Sequence, residues 1–234
     1  MKKLIHRSID RGIAEHGWLH SRHSFSFGHY YDPQKMNFGL MRVLNDDIVE
    51  PGEGFGTHPH DNMEIISIVL NGQLEHRDSM GNGSVINEGD VQVMSAGSGI
   101  THSEFNPSDS EKVNFLQLWI FPKERGIKPR YDQKRFNIED NNVVKVLSGE
   151  NNGDSLFINQ DASIYRGKMS KDEEFTFNFT NKGYGAYLFV LEGSIILDDV
   201  TLNKRDAAGI SDSDQFSIKS VKSSEFILIE IPMN

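Results

Sequence analysis

The sequence predicts an all-β protein, and three features of the chain indicate this fold class. Short runs rich in Val, Ile, Phe, Leu and Thr recur throughout, for example in "EIISIVLNG" and "SEFILIEIP". Gly, Asn and Asp separate these runs, and residues of these types favour tight turns between strands. Helical periodicity, by contrast, is hard to find in any of the runs. Strands of this length and spacing are typical of a β-sandwich or a β-barrel.

The second half of the chain repeats the pattern of the first half. In each half an apolar strand leads to a turn glycine, Gly72 or Gly193, and a second strand follows the turn. An aspartate, Asp90 or Asp206, then precedes a further strand. This similarity lies at the level of supersecondary structure, and it suggests a duplication.

A polar segment separates the two halves. Residues 122–142 are rich in charged residues and contain two prolines, which indicates a connection between domains. We therefore expect two antiparallel β-barrels, one over residues 1–130 and one over residues 131–234. A chain of 234 residues is long enough for each barrel to bury its own core.

Composition excludes several classes of protein. The chain has no cysteine, which rules out disulfides, thiolate metal ligands and a cysteine nucleophile. Its 34 acidic and 24 basic residues give a formal net charge of −10, so phosphate backbones and anionic membranes repel it on average. No apolar stretch follows the two lysines of "MKKLIHRSID", and no run is long enough to span a bilayer. We expect a cytoplasmic protein that binds neither nucleic acid nor membrane.

All nine histidines lie at or before residue 102, so a histidine metal site can form only in the first half. His58 and His60 stand two residues apart at the start of an apolar run, and alternate residues of a strand share a face. His102 and Glu104 repeat this spacing within a second β pattern. If two such strands face each other, three neutral imidazoles and one carboxylate can converge on one cation. A mixed N/O site of this kind suits Fe(II), Mn(II), Ni(II), Cu(II) or Zn(II).

Other polar residues near these pairs leave alternatives open. Glu64 lies four residues after His60, so on a regular strand it would keep the same face. It could replace Glu104 as a ligand or hydrogen-bond to a ligating imidazole. Gln117 is a polar residue in an apolar strand, where it either hydrogen-bonds near the site or faces solvent. His76 is expected on a solvated strand face.

Four stretches of the chain carry a family resemblance. They are "HGWLHSRHSFSFGHYYDP", "THPHDNMEIISIVLNG", "EHRDSMGNGS" and "MSAGSGITHSEFN". The resemblance is nearly continuous from about residue 8 to residue 122. The pattern resembles the pirin family of the cupin superfamily, and in particular its bacterial members. In the second half only the rhythm of strands and turns is similar.

The resemblance implies a bicupin with one metal ion, held in the first barrel by His58, His60, His102 and Glu104. Glu64 would then lie near the metal without binding it. The metal implied is Fe(II), with Mn, Ni, Co, Cu and Zn as alternatives. Bacterial relatives are linked to quercetin 2,3-dioxygenase activity, in which O2 opens a flavonol ring and carbon monoxide is released.

An activity of this kind would need a base and an apolar cleft. The flavonol 3-hydroxyl must lose its proton, and a carboxylate beside the metal can accept it. Glu104 is the first candidate for this base, and Glu64 is the second. Phe55, Met41 and Met63 could line a cleft for a flat aromatic substrate, or they could be ordinary core residues.

Two other functions fit the same residues. The chain could be a metal-binding regulatory or protein-interaction module, like a nuclear pirin. The basic residues between Lys123 and Arg135 form one local stretch that runs against the negative net charge. It could also be a cupin enzyme of different chemistry, such as an isomerase. Uptake of O2 with a flavonol would separate the dioxygenase from the module, and a redox-inert native metal such as Zn(II) would favour the other enzyme.

Overall fold

The computed structural model describes residues 1–151 and 153–234, and it confirms the all-β prediction. A short 3-10 turn, Ser8–Asp10, accompanies the strands, and the described residues contain no α-helix. None of the described segments is a helix of the length and hydropathy needed to traverse a bilayer. In chain order the strands are β1 (Lys2–His6), β2 (Gly12–Glu15), β3 (Leu19–His23), β4 (Met41–Val49), β5 (Gly54–His60), β6 (Glu64–Asn71), β7 (Gln73–Asp78), β8 (Gly83–Asn87), β9 (Asp90–Ser95), β10 (Ile100–Phe105), β11 (Val113–Ile120), β12 (Arg130–Arg135), β13 (Asn142–Ser148), β14 (Leu156–Phe157), β15 (Ser163–Met169), β16 (Glu174–Asn178), β17 (Tyr184–Leu197), β18 (Val200–Asn203), β19 (Ala207–Ser211) and β20 (Gln215–Pro232).

Two sheets form the first half of the molecule. A seven-stranded sheet has the order β12-β9-β6-β11-β4-β3-β2, and a four-stranded sheet has the order β5-β10-β7-β8. Leu74 and Ile86 of the smaller sheet share a buried cluster with Val69 and Phe115 of the larger sheet. Alternate apolar side chains therefore hold the two sheets face to face. The strand order is open in both sheets, so the expected barrel consists of two facing sheets that do not close on each other.

One large sheet forms the second half. Its order is β1-β19-β17-β20-β15-β13-β14, with β16 paired to β20 and β18 paired to β17. β17 has 14 residues and β20 has 18, and their pairing shifts register on either side of Glu192. Such irregularities bend strands, so a single sheet can fold over a core that includes Phe177, Leu188 and Phe226.

The duplication suggested by the sequence is visible in two equivalent turns. Asp90 accepts a hydrogen bond at 2.8 Å from the backbone N–H of Asn87, three residues earlier. Asp206 accepts the same bond at 3.0 Å from the backbone N–H of Asn203. Each aspartate therefore caps a tight turn that leads into a strand, β9 in the first half and β19 in the second.

An apolar core joins the two halves. Leu44, Ile66 and Leu118 of the first half belong to the same buried cluster as Tyr187 and Ile229 of the second. Burial of this kind is favourable at about 25 cal/mol per Å² of apolar surface, so the halves are expected to stay in contact.

The segment 122–142 is more than the connection that the sequence suggested. Its strand β12 pairs with β9 in the large sheet of the first half, and Lys123 forms an ion pair with Asp161 at 2.7 Å. At the other end of the chain, β1 pairs with β19 of the second half. Hydrogen bonds therefore tie the two halves together near the start and near the end of the first half. The domain division at residue 130 stays a prediction.

Candidate metal centre

Neighbouring strands bring three of the predicted ligands together. β5 pairs with β10, and His58 lies directly opposite His102. The ring centroids are 4.8 Å apart for His58 and His60, 4.5 Å for His58 and His102, and 4.9 Å for His60 and His102. A nitrogen of each ring lies within 4.8 Å of a nitrogen of the other two. We call these three side chains the imidazole group.

Glu104 lies beside the imidazole group and not within it. Its carboxylate forms a second, fully buried group with His102 and His76. Ser67 Oγ donates to Glu104 Oε1 at 3.1 Å, and Gln117 Nε2 donates to Glu104 Oε2 at 2.8 Å. Gln117 thus hydrogen-bonds near the site, which was one of its two predicted roles. Coordination of the same cation by Glu104 stays a prediction.

Glu64 is placed differently from the regular-strand expectation. β5 ends at His60, Asn62 has a positive φ of 47°, and β6 begins at Glu64 in the other sheet. The expected shared face is wrong because the chain turns between the two residues. Glu64 Oε2 accepts hydrogen bonds from Ser95 Oγ at 2.8 Å and from the backbone N–H of Asn159 at 3.2 Å. The role of Glu64 as an outer partner or a second base stays a prediction.

His76 is a functional candidate that the sequence reasoning missed. Its side chain is completely buried, so the expected solvated face is wrong. Its ring stacks on that of Tyr131, with centroids 4.6 Å apart, and its Nε2 lies 3.1 Å from Asp78 Oδ2. Leu74, two residues earlier on β7, is also buried. That alternation with an apolar residue was the signal that could have found His76.

A chain of hydrogen bonds fixes which imidazole nitrogens carry protons. Burial lowers the pKa of His76, although Asp78 opposes this change, so the ring is neutral. The Asp78 carboxylate can only accept, so His76 donates through Nε2 and its Nδ1 is an acceptor. His102 Nδ1, 3.4 Å from His76 Nδ1, must then be the donor. His102 Nε2 is left with a free lone pair.

His58 is oriented in the same sense by its own backbone. Its Nδ1–H donates to the carbonyl oxygen of Gly56 at 2.8 Å, which leaves the Nε2 lone pair free. The Nε2 atoms of His58 and His102 lie 3.0 Å apart, so two lone pairs face each other. Burial and the neighbouring imidazoles lower the pKa of His102 to about 2, and burial lowers that of His60 to about 4.

A divalent cation fits this arrangement. Two facing lone pairs repel each other unless a positive charge lies between them, and the low pKa of His102 disfavours a proton. Two nitrogens, each about 2.1 Å from a metal and about 90° apart around it, are separated by about 3.0 Å. Metal binding also requires that the imidazole rings be neutral. The spacing of the His58 and His102 donor nitrogens and their free lone pairs are therefore those that a metal site needs.

The imidazole group opens onto a cleft of about 840 Å³. His58 and His60 contribute to its wall, together with Met63, Ile100 and Trp119. The ring of Trp119 lies edge-on to His60, with centroids 5.0 Å apart. A small molecule in this cleft can therefore reach the imidazole group.

The predicted cleft residues are placed in three different surroundings. Met63 lines the cleft, as expected. Met41 instead belongs to the core that joins the two halves. Phe55 packs edge-on against Trp18, with ring centroids 5.2 Å apart, beside the core of the first half. The cleft alternative therefore holds for Met63, and the core alternative holds for Met41 and Phe55.

Comparison with known proteins identifies the family. Residues 6–120 match the family model described as Pirin, and residues 145–231 match the one described as the quercetinase C-terminal cupin domain. The quercetin 2,3-dioxygenase of Escherichia coli strain K12 is 42% identical over 228 residues, which cover 97% of this chain and 98% of that relative. The chain belongs to the pirin family.

Other pirin-family proteins support the fold and the metal site. A pirin-like protein of Caulobacter vibrioides is 40% identical over 222 residues, covering 94% of this chain and 95% of its own. The bacterial pirin YhhW of Escherichia coli, solved in complex with nickel(II), superposes with a TM-score of 0.95 at 42% identity and covers 99% of each chain. The bicupin prediction is confirmed. The nickel complex and the imidazole group together support a divalent-metal site in this chain.

Proposed function

We propose that this chain is a metal-dependent dioxygenase that uses O2 to open the ring of a flavonol or a related phenol. The convergence of the His58, His60 and His102 donors on an open cleft is the observation that carries the proposal. Relatives named quercetin 2,3-dioxygenase support the choice of reaction. We propose Fe(II) as the native metal, because imidazole ligands suit it and Fe(II) can donate electrons to O2.

The residues around the cleft would bind and orient the substrate. The cation, when bound, supplies Lewis acidity and one-electron chemistry. Trp119 and Met63 provide apolar contact for a flat ring, and a cleft of about 840 Å³ has room for a three-ring phenol. Asp78 and His76 would hold His102 with its Nε2 lone pair towards His58.

Glu104 is the base that we propose for the substrate hydroxyl, with Glu64 as the alternative. Ser67 and Gln117 hold the Glu104 carboxylate close to His102, and glutamine at this position keeps the shape but cannot accept the proton. At matched metal content, Glu104→Gln should lower the rate of flavonol loss by about 10²- to 10⁴-fold. The matched variant Glu64→Gln should retain most of the rate. Wild-type turnover by Glu104→Gln would remove the base role.

The function is tested by O2 uptake with quercetin as the probe. Protein is purified without air, reconstituted with Fe(II), and mixed with the flavonol in an oxygen electrode. We expect O2 and flavonol to disappear in equal amounts, with release of carbon monoxide that stops when the metal is chelated. A flat trace with Fe, Mn, Ni, Co and Cu each restored would contradict the proposal and favour a regulatory module.

A further inference from the structure

A second cavity, of about 530 Å³, lies between the two halves of the molecule. It shares no lining residue with the cleft at the imidazole group. The two equivalent turns meet there, because Glu88 and Gly89 line it from the first half and Lys204 and Arg205 from the second. The duplication thus places a pocket of metabolite size at the junction of the halves.

The wall of this inter-half cavity is rich in cations, although the chain carries a net charge of −10. Its three carboxylates do not balance these cations. Lys204 pairs with Glu192 at 2.5 Å, and Lys168 pairs with Glu225 at 3.1 Å. Arg205 pairs with Asp46, which lies outside the lining, so Arg135 and Arg166 are left with Glu88. The cations are Arg135, Arg166, Lys168, Lys204 and Arg205, and the carboxylates are Glu88, Glu192 and Glu225.

Arg166 is the most deeply placed of these arginines. It is only 9 % exposed, and its Nη1 is buried with no hydrogen-bond partner in the described part of the chain. Burial lowers the pKa of its guanidinium, although Glu225 and Glu88 oppose this change. A guanidinium does not lose its proton in proteins, so it stays charged with part of its hydration lost. An anion in the cavity would replace that hydration.

Arg205 offers a second free donor in a fixed position. Its Nε contacts Asp46 Oδ2 at 3.1 Å, and its Nη2 donates to Asn114 Oδ1 at 3.1 Å. These two bonds hold the guanidinium plane, and Nη1 remains buried without a partner among the described residues. A guanidinium fork that is already oriented loses little entropy when it binds an acceptor.

We propose that the inter-half cavity binds a small anion with a carboxylate or phosphate group, held by the guanidinium groups of Arg166 and Arg205. Guanidinium N–H groups match the spacing of carboxylate and phosphate oxygens, and such charge-assisted bonds are stronger than neutral ones. Both arginines belong to the second half, and residues of the first half such as Asn114 line the same cavity. Ligands that bind only the folded state raise the thermal midpoint, so this anion is expected to raise Tm.

The test uses the full, metal-loaded chain with two separate probes, inorganic phosphate and succinate. Calorimetric titration measures binding, and thermal unfolding in a fixed excess of sodium chloride measures stabilisation. We expect one probe or both to bind and to raise Tm. Arg166→Gln should weaken that binding by about tenfold or more. Lys219→Gln is the control, because Lys219 is a cation of the same half that pairs with Glu174 and does not line the cavity. This variant should bind both probes as wild type does.

The outcomes decide both the site and the ligand class. Binding of phosphate alone or of succinate alone identifies the group recognised. Equal affinity in wild type and Arg166→Gln, or no binding of either probe, overturns the proposal. If Arg166→Gln fails to fold, Arg205→Gln, which removes the other guanidinium of the proposed site, takes its place with the same expected loss. O2 uptake with quercetin is not part of this readout, so failure here leaves the proposed dioxygenase untouched.

Discussion

His58→Ala should abolish stoichiometric binding of a divalent cation. The substitution removes one of three imidazole donors, and it removes the Nε2 that lies 3.0 Å from His102 Nε2. Two imidazoles alone hold a divalent ion weakly. Loss of an outer hydrogen-bond partner lowers metal affinity by about 10- to 100-fold, and loss of a ligand should lower it further. Elemental analysis of protein purified without air and reconstituted with Fe(II) or Ni(II) measures the occupancy.

A histidine outside the site provides the control for this variant. His29 is exposed and belongs to neither donor group, so His29→Ala should bind metal as wild type does. Circular dichroism of both variants checks that the fold is retained. Full occupancy in His58→Ala would show that the cation is held elsewhere, and the buried group of His76, His102 and Glu104 would then be the next site to test.

The imidazole group could be predicted from the sequence because it depends on a local rule. Side chains alternate along a strand, so the spacing of His58 and His60 sends both rings to one face. The same rule links His102 with Glu104. The restriction of all histidines to the first half then placed the site in one half without knowledge of sheet order.

The surroundings of the site could not be predicted because they depend on which strands become neighbours. Glu64 follows His60 closely in sequence, yet the turn at Asn62 sends the two residues into different sheets. His76 meets His102 only because β7 pairs with β10. A pairing between segments far apart along the chain is set by the whole core, and a single strand carries little information about it.

Sheet order at the ends of the chain shows the same limit. The strand character of residues near the N-terminus is local, but the pairing of β1 with β19 joins segments about 200 residues apart. β12 likewise looked like part of a connection because its sequence is polar and charged. It is a strand because β9 offers it an edge with free backbone groups.

His76→Phe should weaken metal binding by about 10- to 100-fold, although His76 is not one of the predicted ligands. Phenylalanine keeps a flat ring that can stack on Tyr131, but it removes the nitrogen that accepts the Nδ1–H of His102. Without that acceptor, His102 can move its proton to Nε2 and turn its lone pair away from the site. Competition with a chelator of known affinity measures the loss.

A variant of the stacking partner separates the hydrogen bond from the packing. Tyr131→Leu removes the stacked ring and leaves the nitrogens of His76 in place, so its metal affinity should match wild type. Equal weakening in both variants would mean that the packing of His76, and not its nitrogen, supports the site. Complete metal loss in His76→Phe with full occupancy in His58→Ala would instead make His76 a ligand, because a residue that only orients His102 weakens binding without abolishing it.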